Sequence, residues 1–434
     1  MSTPRTVHLS AGTRQSKTTV FAIVIGNGLV IYDFTVYSFS AVIIGKLFFP
    51  ADSSLSSLLM SLLTFGIGFT MRPLGALVIG HIADSKGRKA GLNMSNLLMA
   101  SGTALIAFMP TYESIGVTAT LLIVIARLLQ GFAAGGEIGV ASAVLMELAP
   151  AGKRCYLVSW RSASQAAAAL VGALVGACTT YLLTPEQLMA WGWRIPFILG
   201  LLIGPIGWLI RRNMIENVQP VIPRPSFKVL LNQHRSPLLL GILLMASPTA
   251  SIYLMVLYMP TYLTRNLGMS PTMSLLSSCL ASAMLFIAAP LFARIADRGT
   301  QRKPTQYVTM LVSIGSVYPV FLALTEGVGE GLSLLIIAVY AVVAMGNNGV
   351  MTVMIMESFP LHCRGMGMSL VYSLGVTIFG AFSPFFVTWL ISVTHSPMAP
   401  AWYLLSAMLI SLFALKAFPI ESQRDLVGPI GQKL

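Results

Sequence analysis

The chain runs to 434 residues, of which 56% are apolar and 9% charged, with 27 Lys and Arg against 14 Asp and Glu and a formal net charge of +13. Soluble domains carry roughly 25% charged residues, so an aqueous globular fold is excluded and lipid is the solvent for most of this chain. The surplus positive charge lies in loops on one side of the apolar stretches, which reads as membrane orientation and contact with anionic lipid, not as a nucleic-acid site.

Apolar stretches of about 20 residues, the length needed to cross a bilayer, predict twelve spans. In chain order they cover approximately 18–44, 56–80, 91–110, 118–147, 156–183, 193–211, 236–263, 273–296, 305–325, 332–357, 366–392 and 400–418. All are expected to be α-helices, because in lipid each segment must satisfy its own backbone. Residues 1–17 form a polar tail with no small-residue cleavage site before the first span, which reads as a retained anchor. Lys46, Arg194 and Arg265 fall on one side of the membrane, and Arg72, Arg127 and Arg161 within spans; the remaining Lys and Arg lie on the other side. That asymmetry predicts both termini in the cytoplasm. The expected organisation is a tail (1–17), a six-helix bundle (18–211), a basic cytoplasmic linker (212–235), a second six-helix bundle (236–418) and a tail (419–434). Cys155, Cys178, Cys279 and Cys363 have no paired spacing, so neither a disulfide framework nor a metal site is expected.

The chain repeats itself. Gly136, Gly139, Val140, Met146, Glu147, Pro150, Arg154 and Ser159 recur as Gly346, Gly349, Val350, Met356, Glu357, Pro360, Arg364 and Ser369, always 210 residues later. Asp84, in the loop Gly80–Lys89, is echoed by Asp297, followed by Arg298. Two equivalent halves in a membrane chain imply a site between them that can face either side. In the loop, Gly80 is expected to allow close helix approach, Asp84 to cap or pair with a neighbouring helix end, and Gly87 to permit a tight turn before Arg88. Glu147 and Glu357 end the fourth and tenth spans, each followed by a proline and an arginine (Arg154, Arg364). These charges either latch one face closed in one conformation or only fix topology and loop shape.

The pattern Gly80, Asp84, Gly87, Arg88, Lys89 resembles the signature loop of the major facilitator superfamily. Met71-Arg72-Pro73 with Gly75, Arg127 with Gln130 and Gly131, Gly135-Gly136-Glu137 with Gly139, Trp191 through Phe197, and Tyr32-Asp33-Phe34 narrow the likeness. Together they resemble the metabolite:proton symporters, whose members carry citrate, related carboxylates or zwitterionic osmolytes. The resemblance runs from about Gly26 to Pro384. It implies an all-α membrane protein of twelve helices in two pseudo-symmetric bundles, placed in a bacterial inner membrane. Three positions depart from the family: Val30 where a glutamate is usual, Ser85 where a basic residue follows the aspartate, and Thr300 where the second copy would have glycine.

An ionisable side chain at mid-bilayer costs about 2.5–3.5 kcal/mol on insertion scales, so each should face protein or water. The candidates are Asp33, Arg72, Arg127, Glu137 and Arg161. Arg127 and Glu137 lie about 15 Å apart along one helix and cannot pair directly. A guanidinium near Asp33 favours the ionised carboxylate, and separation favours protonation. Asp33 and Arg127, with Glu137, are therefore the candidate proton-coupling set; the competing reading is a permanent ion pair holding spans one and four together.

At Arg161 the citrate-carrying relatives resemble Ser-Trp-Gln-Ser, whereas this chain has arginine, with Gln165 one turn on. A guanidinium matches a carboxylate in bidentate fashion, so Arg161 and Gln165 are candidate substrate ligands, joined by Tyr32, Asn27 and Asn348. Against this stands snorkelling of Arg161 to the headgroups. Losing an acid at position 30 and gaining Arg161 makes the cavity more positive, which favours an anion over a zwitterion. No Gly-x-x-x-x-Gly-Lys-Ser/Thr loop is present, so no nucleotide or other cofactor is expected and the proton gradient would supply the energy. The expected function is proton-coupled uptake of a citrate-like di- or tricarboxylate, by a chain acting as a monomer. Uptake of betaine or proline is the alternative. The five histidines all lie at ends and loops, and no enzyme-like cluster of nucleophile or metal ligands appears.

Overall fold

The computed structural model describes residues 13–86, 88–135, 138–150, 152–202, 205, 230, 232–299, 302–360 and 364–418. Helix dominates, and among the described residues there is no strand. Ten helices there are long and apolar enough to cross a membrane, or eleven when the bent pair Ile23–Phe39 and Ala41–Phe48 is taken as one span. That 65° bend corrects the expectation of an unbroken first span. In the sixth span the described helical elements are Gly192–Arg194 and Ile195–Leu201. The fourth appears as Val117–Gly135 and Ile138–Glu147, with 136–137 outside the described residues.

The second span is interrupted at Met71, between Ser54–Thr70 and Arg72–Lys86. Pro73 lacks the N–H that a continuous helix would need, so Arg72 opens a new helical segment inside the bundle. Close approach to the fourth span is set by glycines. A Cβ on Gly131 would collide with the Gly68 carbonyl, one on Gly75 with that of Phe132, and one on Gly135 with that of Arg72. Only glycine lets backbones meet so closely, and the contact sets Arg72 and Arg127 on adjoining helices. Gly80, expected to serve such an approach, has nothing within 4 Å of a built Cβ. The contact it was assigned is made earlier in the second span, at Gly68 and Gly75.

The two halves meet along several span pairs. The fifth (Arg154–Leu182) and eighth (Pro271–Arg298) pack along their length, with Trp160 edge-on to Phe286 at 6.2 Å and Thr180 bonded to Thr272 at 3.3 Å. Gly349 of the tenth span sits on Ser159 of the fifth, where a Cβ would lie 2.9 Å from the serine Cβ. Reciprocally, Arg364–Gly375 packs on Ile138–Glu147. These crossings follow the internal repeat. The Thr377 hydroxyl donates to the Phe69 carbonyl at 3.0 Å, and the Ser38 hydroxyl to that of Leu257 at 3.2 Å.

Candidate functional site

Three arginines converge where the halves meet. Arg72, Arg127 and Arg161 are among the largest fully buried side chains, at 1%, 0% and 0% exposure. Arg72 lies over the rings of Phe69 (4.0 Å) and Phe34 (4.9 Å), and Arg127 over Tyr37 (4.3 Å) and Phe34 (4.7 Å). Arg161 lies over Tyr372 (5.1 Å). Among the described residues none of the three forms an ion pair. Arg72 Nε, Nη1 and Nη2, Arg127 Nε and Nη2, and Arg161 Nε and Nη1 have no hydrogen-bond partner there. Aromatic faces offset part of the cost of a buried cation but accept no strong hydrogen bond. The arrangement is therefore a set of donors directed into protein without matching acceptors.

Asp33 and Arg127 are brought to one network but not to one ion pair. Asp33 Oδ2 accepts from Thr103 Oγ1 at 2.7 Å, Thr103 Oγ1 accepts from Gln130 Nε2 at 3.0 Å, and Gln130 Oε1 accepts from Arg127 Nη1 at 2.7 Å. Both the coupling reading and the ion-pair reading assumed direct contact; instead, a threonine and a glutamine from spans three and four stand between. Asp33 is 2% exposed, and its Oδ1 has no described partner. Glu137 lies outside the described residues.

Arg161 does not snorkel. It is enclosed by protein and points from the fifth span into the other half, with Nη2 3.5 Å from Thr352 Oγ1. Gln165 Nε2 donates to the Tyr372 hydroxyl at 3.2 Å, so both candidate ligands face the same tyrosine of the eleventh span. Asn27 instead binds within its own half, donating to Ser164 Oγ (2.9 Å) and the Arg161 carbonyl (3.2 Å). It supports the turn carrying Arg161. The Tyr32 hydroxyl is taken by the Pro196 carbonyl at 3.0 Å, between spans one and six. Asn348 borders a cavity of about 20 Å³ with Asn347, Gln306, Thr309 and Ser313. That volume holds about one water and no organic acid.

At the end bearing the basic loops, the halves are tied by charge. Arg154 Nη1 approaches Glu357 Oε1 at 3.5 Å, and Arg302 bonds the other carboxylate oxygen. Asp297 caps the start of the fifth span across the interface, accepting from the backbone N–H of Tyr156 (2.8 Å) and Cys155 (3.0 Å). A carboxylate at a helix N-terminus meets orphan donors and the positive end of the dipole. Arg298 is exposed and has no described partner. Arg364 Nε donates to the Met356 carbonyl at 2.9 Å within its own half. Gly87, and the side chains of Asp84, Arg88 and Glu147, lie outside the described residues.

Sequence reasoning missed Thr103, Gln130, Thr352, Tyr372 and Arg302 as site residues. Gln130 was visible in the motif following Arg127, and Arg72 as a charge within a span. Thr103, Thr352 and Tyr372 are ordinary residues of apolar helices, and only packing singles them out.

The chain matches the Major Facilitator Superfamily over residues 23–384. It is 35% identical over 415 residues to a citrate-proton symporter of Salmonella typhi, covering 94% of this chain and 95% of that one. It is 30% identical over 426 residues to a proline/betaine transporter of Salmonella typhimurium, covering 94% and 84%. Its fold matches the crystal structure of a D-xylose-proton symporter with a TM-score of 0.76 at 19% identity, over 93% of this chain and 98% of the other. Twelve-helix architecture, internal repeat and signature loop agree with these likenesses, and the chain belongs to the major facilitator superfamily.

Proposed function

We propose that this chain is a secondary transporter that carries a small organic acid of the citrate type together with protons by alternating access. The observation that carries the reading is Arg161, fully buried, crossing from one half to Thr352 and Tyr372 of the other with two nitrogens unpartnered. A carboxylate seated there would bind both halves at once and so would respond to their relative rocking. Arg161 and Gln165 hold the substrate, with Asn27 supporting their turn. Asp33 is the proton carrier, linked to Arg127 through Thr103 and Gln130, so that anion binding at Arg127 is felt at the carboxylate. Glu357, Arg154, Arg302 and Asp297 close the cytoplasmic face. The chain works as a monomer in the lipid bilayer of a bacterial inner membrane, as bundles 18–211 and 236–418 joined by linker 212–235, with both termini cytoplasmic. As a carrier of this superfamily it is not an enzyme.

The likeness to a proline/betaine transporter favours a zwitterionic osmolyte as the second reading. Three buried guanidinium groups weigh against it, since a quaternary ammonium there would meet like charge.

Uptake of radiolabelled citrate, tricarballylate, 2-oxoglutarate and betaine into proteoliposomes, with and without an inward proton gradient, tests the proposal. Gradient-driven accumulation of a carboxylate is expected. Betaine uptake alone would overturn it.

A further inference from the structure

We propose, resting on the organic-acid reading, that Arg72 binds substrate, and that Arg72 and Arg127 form a second carboxylate subsite beside Arg161 that selects three-carboxylate anions over two-carboxylate ones. Neither the proton relay nor the charged latch uses Arg72. It is 1% exposed, and all three of its guanidinium nitrogens lack a partner among the described residues. A buried cation left in that condition is costly unless an anion joins it.

Arg72 and Arg127 share one ring, with guanidinium carbons 4.9 Å and 4.7 Å from the centroid of Phe34. Two like charges so placed repel, and a carboxylate on each relieves both. Arg127 keeps Nε and Nη2 free for its own while Nη1 stays on Gln130. The planar fork of each guanidinium suits the two oxygens of a carboxylate.

This subsite and that of Arg161 face the same eleventh span: Tyr372 of that span lies under Arg161, and Tyr253, packed on Phe69 beneath Arg72, sits against its Gly380. Tyr253 closes the aromatic wall, 5.6 Å from Phe69 and 6.0 Å from Phe65. A two-carboxylate anion leaves one of the three guanidinium groups without an acid; a three-carboxylate anion supplies one to each.

Citrate and 3-hydroxyglutarate differ by a single carboxylate, so their affinity ratio isolates the third contact. Binding of each to the purified full-length protein, measured by calorimetry, is expected to favour citrate by about 10- to 100-fold, the worth of one charge-assisted contact. Arg72→Gln should bring that ratio close to one while leaving 3-hydroxyglutarate affinity within about threefold. Arg72→Lys, which keeps the charge and loses the fork, should give an intermediate ratio and serves if the glutamine variant does not elute as a folded monodisperse species. Equal wild-type affinities, or a wild-type ratio in both variants, would overturn the second subsite while leaving the organic-acid reading intact. No binding of either acid by the wild type would remove that reading and the subsite together.

Discussion

Replacing Arg161 by glutamine separates a ligand-binding role from a packing one. The side chain is fully buried, yet its described polar contact is a 3.5 Å approach of Nη2 to Thr352, at the outer limit of a hydrogen bond. Nε and Nη1 have no described partner. Folding therefore gains little from this guanidinium, and its buried charge is itself unfavourable. A carboxylate bound bidentately would recover charge-assisted hydrogen bonds of about 1.5–3 kcal/mol each. Losing one such bond lowers affinity about 10- to 100-fold. Arg161→Gln is accordingly expected to raise the KM and Kd for a citrate-type anion by at least about 10-fold, with a thermal midpoint in detergent equal to or above that of the wild type. Uptake kinetics in proteoliposomes, calorimetric binding and a thermal melt check both halves of the statement. A variant that melts lower and binds substrate unchanged would refute the reasoning and make Arg161 a packing residue.

Four further outcomes follow from the same geometry. Asp33→Asn keeps the shape that Thr103 and Gly200 enclose but cannot exchange a proton; it should abolish accumulation driven by a proton gradient and spare substrate counterflow, and accumulation against a gradient would exclude Asp33 as the proton carrier. Glu357→Gln removes the anion shared by Arg154 and Arg302, so the buried thiol of Cys155 beside the Asp297 cap should react severalfold faster with a thiol reagent. An unchanged labelling rate would count against a latch. Gly80→Ala should leave stability unchanged or raise it by up to about 1 kcal/mol, because a Cβ there meets nothing within 4 Å. Gly131→Ala should prevent folding or lower the melting midpoint sharply, since its Cβ would strike the Gly68 carbonyl; equal melting curves would disprove the close approach of spans two and four.

The spans were legible because lipid imposes one rule on the whole chain: apolar residues for about 20 positions with every backbone group satisfied within the segment. The 210-residue repeat was legible for the same kind of reason, since duplicated units keep their turn and packing residues at equal spacing. Asp33 and Arg161 stood out because charge is expensive in that solvent. Their partners did not stand out. Thr103, Thr352 and Tyr372 carry no anomaly in an apolar helix, and each comes from a span distant in sequence.

Lipid as solvent thus settles locally where the helices lie, which residues are costly and that two similar halves exist. Which side chains meet depends on helix rotation and tilt, and those follow from backbone contacts at Gly68, Gly75 and Gly131 and from the crossing of Gly349 on Ser159. Contacts between residues about a hundred or two hundred positions apart are set by the shape of whole faces, to which no single position is a guide. For that reason only tertiary structure separated Asp33 from Arg127 by two side chains, turned Arg161 toward Tyr372 and assembled three arginines around one apolar interior.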